Sequence, residues 1–463
     1  MVGRRFAKNS KLIVASFAIV VAMIAAISFD FLDRLSSGWS IDKTAVIGFL
    51  SVYSVLFFII AWLVPIAIRR HGEAALCVVS IAAALILIEM GCRIFVPGAT
   101  AVRFDFGGIR SRQLHHIYAA QSRMYMGRFD GKDVFVDTNE DGLRTAYSKK
   151  DFKKYQSRVI VLGDSFTLGL GVTSEDSFPK RLEDNLRRAI GGESIAVLNA
   201  GIVSYSPFLE KLLFERKLTE YRPTLVALIL DATDIGDDYL YMKESAQSDE
   251  VSTFALEDGT PPKYRGALYE LTRPYHRPLW SSLKYPLQLA RKWVGRGKSN
   301  VSPGAYDYYE SKIAVGDTLE RNRFFIYRHP LDETRYFFDR TIRNVDEIAG
   351  LATQMGAGFA LFVTPRFHHW NANECPDNWE KNEYRLNETY QYEYFRYFDE
   401  SQRAYPIINM LPDFQATDEY PLVFRQDPHW NAAGHAFVAD TVTRHMLKRR
   451  LIYSTSSSLP PSQ

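Results

Sequence analysis

The chain has 463 residues, 47% of them hydrophobic, and a formal net charge of +3. A balance so near neutral excludes a nucleic-acid partner held by charge, and the visible basic residues cluster beside apolar runs, where membrane topology accounts for them. Of three cysteines, Cys77 and Cys92 fall inside an apolar run and Cys375 stands alone, which excludes a disulfide framework and a cysteine-based metal site.

The amino-terminal part differs in material from the rest. Leu12 to Phe29 and Ala45 to Ile68 carry no charge, and Ala74 to Val96 is interrupted only by Glu89 and Arg93. Each run is long enough to cross a bilayer core, which takes about 20 residues as a helix. Glu89 and Arg93 stand four apart, so on a helix they share a face and can pair. A cleaved signal peptide is the alternative for the first run, but no small-residue cleavage site is obvious and two further runs follow. The expectation is a membrane anchor of three transmembrane helices over residues 1–97. Arg4, Arg5, Lys8 and Lys11 precede the first run, and Arg69, Arg70 and His71 separate the second from the third. The positive-inside rule then places the amino terminus in the cytoplasm. Everything after Val96 is expected outside it, in the periplasm if the cell is Gram-negative, with the lipid bilayer as a partner.

An entry segment over 98–157 leads to an alternating pattern. "RVIVLG", Arg158 to Gly163, is a short continuous apolar run of the kind buried on both faces of a sheet. Asp176 to Ile190 carries Phe178, Leu182, Leu186 and Ile190 at four-residue spacing, one helical stripe. "SIAVLNAG" (Ser194–Gly201) reads as the next strand, Pro207–Tyr221 as a helix opened by proline, and Thr224–Asp234 as a third strand. This alternation predicts an α/β fold, a parallel sheet sandwiched by helices. Residues 239–330 break the rhythm and read as an insertion. The pattern resumes with a helix over Arg335–Met355, a strand Gly358–Pro365, a polar aromatic loop, and a last helix from about Ala432 with Asn431 as its N-cap. The domain is taken to end near 450, and the tail 451–463 has a disordered composition.

The first strand runs into "GDSFTLGLGV", which raises a choice. Gly, Asp and Ser are ordinary turn residues, but a sharp turn there would also lift the Ser165 hydroxyl out of the sheet as a nucleophile. A nucleophilic serine needs a base and a group to orient that base. Near the carboxyl end, "RQDPHWNAAGH" supplies Asp427 two residues before His429. Taken alone, His429 and Trp430 read more readily as packing over a helix start. Set beside the strand-ending serine, the catalytic reading gains the upper hand.

With these motifs the chain resembles the SGNH/GDSL hydrolase superfamily, which implies a flavodoxin-like α/β/α sandwich around a Ser-His-Asp triad. "GDSFTLGLGV" matches the first block, with Ser165 as nucleophile. "NAGIVSYS" matches the second, where the resemblance gives the Gly201 N–H to the oxyanion beside that of Ser165. "DPHWNAAGH" matches the fourth, with His429 as base and Asp427 as its partner. "VDTNEDGLRT", Val136 to Thr145, is similar to the segment preceding the first strand in membrane-anchored members. Two departures stand out. The third block, Gly-x-Asn-Asp, is Asp231-Ala232-Thr233-Asp234 here, so Thr233 takes the place of the oxyanion-donating asparagine. The Asp-x-His spacing followed by Trp resembles the alginate O-acetylation branch.

The α/β-hydrolase elbow, Gly-x-Ser-x-Gly, fails because position 167 is Thr. His368 and His369 are adjacent and cannot share a helical face as a zinc pair would, and His435 is taken as a helix residue. No cofactor or metal is called for. "RFHHWNANECPDNWEKNEYRLNETYQYEYFRYF", Arg366 to Phe398, suits stacking and hydrogen bonding to sugars, or equally covers a sheet edge. Arg277–Arg296 alternates basic and apolar groups and reads as a lid helix or as a membrane-surface helix. The resulting expectation is a membrane-anchored extracytoplasmic serine esterase acting on acyl esters, acetyl foremost, of a cell-envelope glycan. An O-acyltransferase moving acetyl to a polysaccharide is the first alternative. A catalytically weak glycan-binding subunit of an envelope complex is the alternative from another class.

Overall fold

A computed structural model describes residues 102–247, 313–371 and 389–452, apart from 193, 321–322 and 426, together with the isolated positions 84–86, 88–89, 91, 253–254, 258–261, 263, 266 and 374. The described residues fall into two compact units. The smaller includes the turn at Asp130 and Gly131, both with positive φ, where Arg128 Nε donates to the Gly131 carbonyl at 3.0 Å. The larger, drawn from 102–126, 134–263 and 278–463, holds the main sheet and every site residue.

That sheet has five strands: β1 (Ser157–Gly163), β2 (Ile195–Gly201), β3 (Leu225–Leu230), β4 (Gly358–Val363) and β5 (Ile407–Asn409), in the order β5-β4-β3-β1-β2. All neighbours are parallel. Parallel pairing is tolerated only where helices cover both faces, and the sequence supplies them. The helices α1 (Ser165–Leu168), α2 (Phe178–Ile190), α3 (Pro207–Arg216), α4 (Asp234–Ser245), α5 (Leu331–Gln354), α6 (Glu393–Glu400) and α7 (Ala432–Lys448) follow in chain order. Val159 and Val161 of β1 join Val197, Ala227 and Phe362 in one apolar core with Phe178, Leu182 and Leu186 of α2 and Val438, Val442 and Met446 of α7. Helices α3, α4 and α5 pack on one another in a second group. Ile160 and Leu162 alternate with the valines along β1 and are equally buried, which is why that run is apolar at every position.

The strand order places a topological switch point between β1 and β3. From β1 the chain first moves to one side, then crosses back to build the other, so the carboxyl ends of these two strands open a crevice. Ser165 follows one residue, Asp164, after the end of β1.

One expectation is corrected. Among the described residues no helix is long and apolar enough to cross a membrane. Of the expected fold class, the described residues show the α/β domain with its parallel sheet and none of the three transmembrane helices. The runs at 12–29 and 45–68 lie outside the described residues, and of 74–96 only 84–86, 88–89 and 91 are described, as helix. Uninterrupted apolar composition is enough length for a span, but it does not by itself fix a continuous helix. Helix α4 runs to Ser245, across the expected start of the insertion at 239. Within the entry segment, Val102–Arg103 and Lys132–Asp137 flank Arg123–Phe129 in a three-stranded sheet. Residues 277–296 and the tail from 453 lie outside the described residues.

Candidate active site

The turn after β1 is built by its own residues. Gly163 has φ +153°, and a Cβ there would lie 2.1 Å from Thr167 Oγ1. Asp164 caps α1, its Oδ1 accepting from Phe166 N–H at 2.8 Å. Gly169 ends the helix in the left-handed region at φ +82°, where glycine carries no Cβ penalty. Across the sheet Gly201 pairs with Gly163. A Cβ on Gly201 would meet Leu168 N at 2.2 Å and Thr167 C at 2.6 Å. Both glycines let this one-turn helix sit down on the strand ends, with Ser165 as its first residue.

His429 reaches Ser165 from a strand outside the main sheet. Asp427–Trp430 pairs antiparallel with Val423–Phe424, and Asn431 fastens the pair to α7. Its Oδ1 accepts from Ala433 N–H and Gly434 N–H at 2.9 and 3.0 Å, while its Nδ2 donates to the Pro421 and Val423 carbonyls, both at 3.0 Å. Fully buried Trp430 packs edge-on against Phe166, ring centroids 4.8 Å apart. The Phe166 ring also lies 4.7 Å from the His429 ring.

The structure thereby brings three of the expected residues together. Ser165 Oγ is 2.8 Å from His429 Nε2, and His429 Nδ1 is 2.5 Å from Asp427 Oδ1. That same Oδ1 accepts the His429 backbone N–H at 2.9 Å. The short Asp-x-His spacing is what allows one carboxylate oxygen to hold both nitrogens. Burial disfavours the imidazolium, but the charge and hydrogen bond of Asp427 outweigh it and raise the His429 pKa above its ordinary value. Burial likewise opposes ionisation of Asp427, yet His429 holds its carboxyl below the usual range.

The expected oxyanion donors fare differently. The Ser165 N–H lies at the first position of α1, where a helix leaves its amides without internal acceptors. The Gly201 N–H donates instead to Asn199 Oδ1 at 2.9 Å. The Thr233 hydroxyl donates to Asp231 Oδ2 at 2.6 Å, and the Thr233 N–H follows at 3.1 Å. Both groups are thus engaged by a polar side chain two residues earlier in the chain, which in a buried turn is the nearest acceptor. Thr233 is part of a closed turn, also fastened by Asp231 N–H to Asp234 Oδ2 at 2.8 Å.

Sequence reasoning passed over Arg366. It is 4% exposed, its Nε 3.3 Å from Asp231 Oδ1, and its guanidinium lies over the Phe166 and Phe324 rings, 5.1 Å from each centroid. It is one of the cations set among buried carboxylates, as Arg323 is beside Asp237. Burial, and next the Asp231 charge, push the Asp164 pKa up to about 6. His435 belongs to α7 and accepts the first N–H of α2, from Phe178, at 3.2 Å. His369 is buried and bridges to the Gln391 carbonyl at 3.0 Å. In the segment expected to bind sugars or cover the sheet, Tyr394, Phe395, Tyr397 and Phe398 are buried. Tyr394 donates to the Leu230 carbonyl at the end of β3 at 3.0 Å, so this part covers the sheet. Tyr392 remains 43% exposed.

No family model matches the chain, and no curated protein matches it. Solved structures similar to it include the acetylxylan esterase Axe2 from Geobacillus stearothermophilus, at 12% identity and TM-score 0.32, covering 63% of this chain and 94% of that one. A GDSL-like lipase from Bacteroides thetaiotaomicron matches at 12% identity and TM-score 0.28, covering 66% and 92%. The acetyl xylan esterase AlAXEase matches at 15% identity and TM-score 0.30, covering 62% and 98%. At such identities and TM-scores, what the chain does chemically has to come from its own residues.

Proposed function

We propose that the protein is a serine esterase of the SGNH/GDSL type that cleaves small acyl esters, acetyl esters foremost. The observation that carries this reading is the Ser165 hydroxyl 2.8 Å from His429 Nε2, with Asp427 on the other ring nitrogen. Ser165 Oγ attacks the ester carbonyl while His429 Nε2 takes its proton. Asp427 fixes Nδ1–H toward itself, leaving the Nε2 lone pair for the serine, and stabilises the imidazolium that forms. His429 then protonates the departing alcohol, and water repeats the sequence on the acyl-serine. The Ser165 N–H, beside the hydroxyl at the start of α1, is the backbone group best supported as an oxyanion donor.

For the alcohol component we propose a glycan. The Trp, Tyr, Asn and Glu composition of Arg366–Phe398 and the exposed Tyr392 ring support it, since aromatic faces and amides suit sugar rings. The test is labelling by a fluorophosphonate together with acetate release from acetylated polysaccharide. Labelling that persists in Ser165→Ala would remove the proposed nucleophile. Hydrolysis of simple acetyl esters without acetate release from polysaccharide would remove only the glycan.

A further inference from the structure

The segment "NEDGLRT" before the first sheet strand forms a turn whose parts serve one residue. Asn139 Oδ1 accepts from Asp141 N–H and Leu143 N–H at 3.0 and 3.1 Å, and its Nδ2 donates to the Tyr147 carbonyl at 2.9 Å and the Tyr221 hydroxyl at 2.8 Å. Gly142 has φ +78°, and a Cβ there would fall 2.3 Å from the Tyr118 carbonyl oxygen. Leu143 is wholly buried. This turn delivers Arg144, itself 4% exposed, to the carboxyl end of α1.

There the guanidinium holds four carbonyls. Nη1 donates to Leu168 O at 3.0 Å and Gly169 O at 2.7 Å. Nη2 donates to Val172 O at 2.8 Å and Phe135 O at 3.1 Å. Asn199 Nδ2 adds a bond to Leu168 O at 3.2 Å. A one-turn helix has almost no stability of its own, because nucleation costs more than its first bond returns. Its last carbonyls are orphans that a buried cation satisfies and that the helix dipole favours. Ser165 sits at the other end of the same turn.

We infer that Arg144 is a positioning residue for the nucleophile: by gripping the carbonyls at the end of α1 it fixes where Ser165 Oγ stands relative to His429. This rests on the esterase reading above. Lysine offers a single ammonium and cannot span these carbonyls as a planar fork does. Displacing a reacting atom by about 1 Å costs roughly 10² in turnover. Arg144→Ala is therefore expected to lower kcat on a small acetyl ester by about 10² with KM within about threefold, and to slow fluorophosphonate labelling in proportion. Added guanidinium ion should restore part of the lost kcat in Arg144→Ala and none in Ser165→Ala.

A folded Arg144→Ala enzyme with wild-type kcat overturns the inference, as does a loss that guanidinium leaves untouched. If Arg144→Ala does not fold, Arg144→Lys carries the test. A folded lysine variant with kcat lowered at least about tenfold at unchanged KM supports the positioning role, and a wild-type kcat overturns it. Failure of both variants to fold makes Arg144 a residue of overall stability and also overturns it. Wild-type protein that neither hydrolyses esters nor labels would overturn the esterase reading itself, a result distinct from an active wild type with unaffected variants.

Discussion

Replacing Asp427 by asparagine separates the charge of that residue from its geometry. One oxygen, Oδ1, accepts both the His429 backbone N–H at 2.9 Å and Nδ1–H at 2.5 Å. An asparagine carbonyl can occupy the same place. The backbone N–H, which is always a donor, selects that orientation over the flipped amide, so the imidazole keeps the tautomer with its lone pair on Nε2. What is lost is the attraction between carboxylate and imidazolium. At about 4 Å such a pair is worth between ~1 kcal/mol in water and ~4 kcal/mol at a partly screened site. The Asp427 side chain is 48% exposed, which argues for the middle of that range. A loss of about 2 kcal/mol corresponds to roughly thirtyfold in kcat, well short of the roughly 10⁴ expected when the wrong tautomer forms. The pH profile supplies a second reading. Asp427 raises the His429 pKa, and the enzyme needs neutral His429, so activity falls as pH drops through that pKa. Removing the carboxylate lowers it and moves the acid limb of kcat/KM to lower pH. Ester hydrolysis measured across pH for both proteins decides the matter. A loss as large as that of Ser165→Ala would refute the retained tautomer, and an unmoved acid limb would refute Asp427 as the charge partner.

Ser165→Ala and His429→Ala should each lower ester turnover by about 10⁴, with the double variant scarcely worse; multiplying losses in steady-state assays would show that the two do not act as one proton-transfer unit. Thr233→Val should leave kcat within a few-fold of wild type, because the hydroxyl is bound to Asp231. It should cost about 1–3 kcal/mol of stability in chemical denaturation from the lost hydrogen bond to a buried carboxylate, whose Oδ2 keeps only the Thr233 N–H, and a hundredfold loss of kcat at unchanged stability would support Thr233 as an oxyanion donor. Gly201→Ala should abolish activity and destabilise strongly, since its Cβ meets the α1 backbone at 2.2 Å. Gly350→Ala, mid-helix with open space around it, should be neutral or stabilising by up to about 1 kcal/mol, and equal melting temperatures for the two variants would contradict the packing argument.

The sheet was legible where its strands are continuous Val, Ile and Leu runs buried on both faces, as in β1 to β4. Strand β5 was not, because Ile407–Asn409 is too short to show a period and only Ile408 is deeply buried. The sequence pattern brought Ser165 and the Asp427–His429 pair into view because strand ends and cap residues carry strong local signatures. It gave no sign that the Gly201 N–H and the Thr233 hydroxyl are held two residues back along the chain, by Asn199 and Asp231, because that depends on turn geometry that residue types do not reveal. Arg366 opened a segment noted for its aromatic and amide side chains, and nothing in that composition pointed to its pairing with Asp231. Arg144 lay in a segment that drew notice, but three of its four carbonyl partners are 24 to 28 residues further on, a distance at which no spacing rule operates.

Ser165 and His429 are separated by 264 positions in the chain, and the histidine sits on a small hairpin fastened by Asn431 to the last helix. On a ribosome adding about 5–20 residues each second, the serine is made some 10–50 s before its base. Through that interval β1 and β2 can pair, and the Arg144 turn, already synthesised, can seat the helix that carries the hydroxyl. The nascent chain then holds a finished cradle and an inert alcohol. The proposed base arrives only with the β-hairpin of Val423–Phe424 and Asp427–Trp430, which is no part of the main sheet, so local fraying of that hairpin alone would silence the serine.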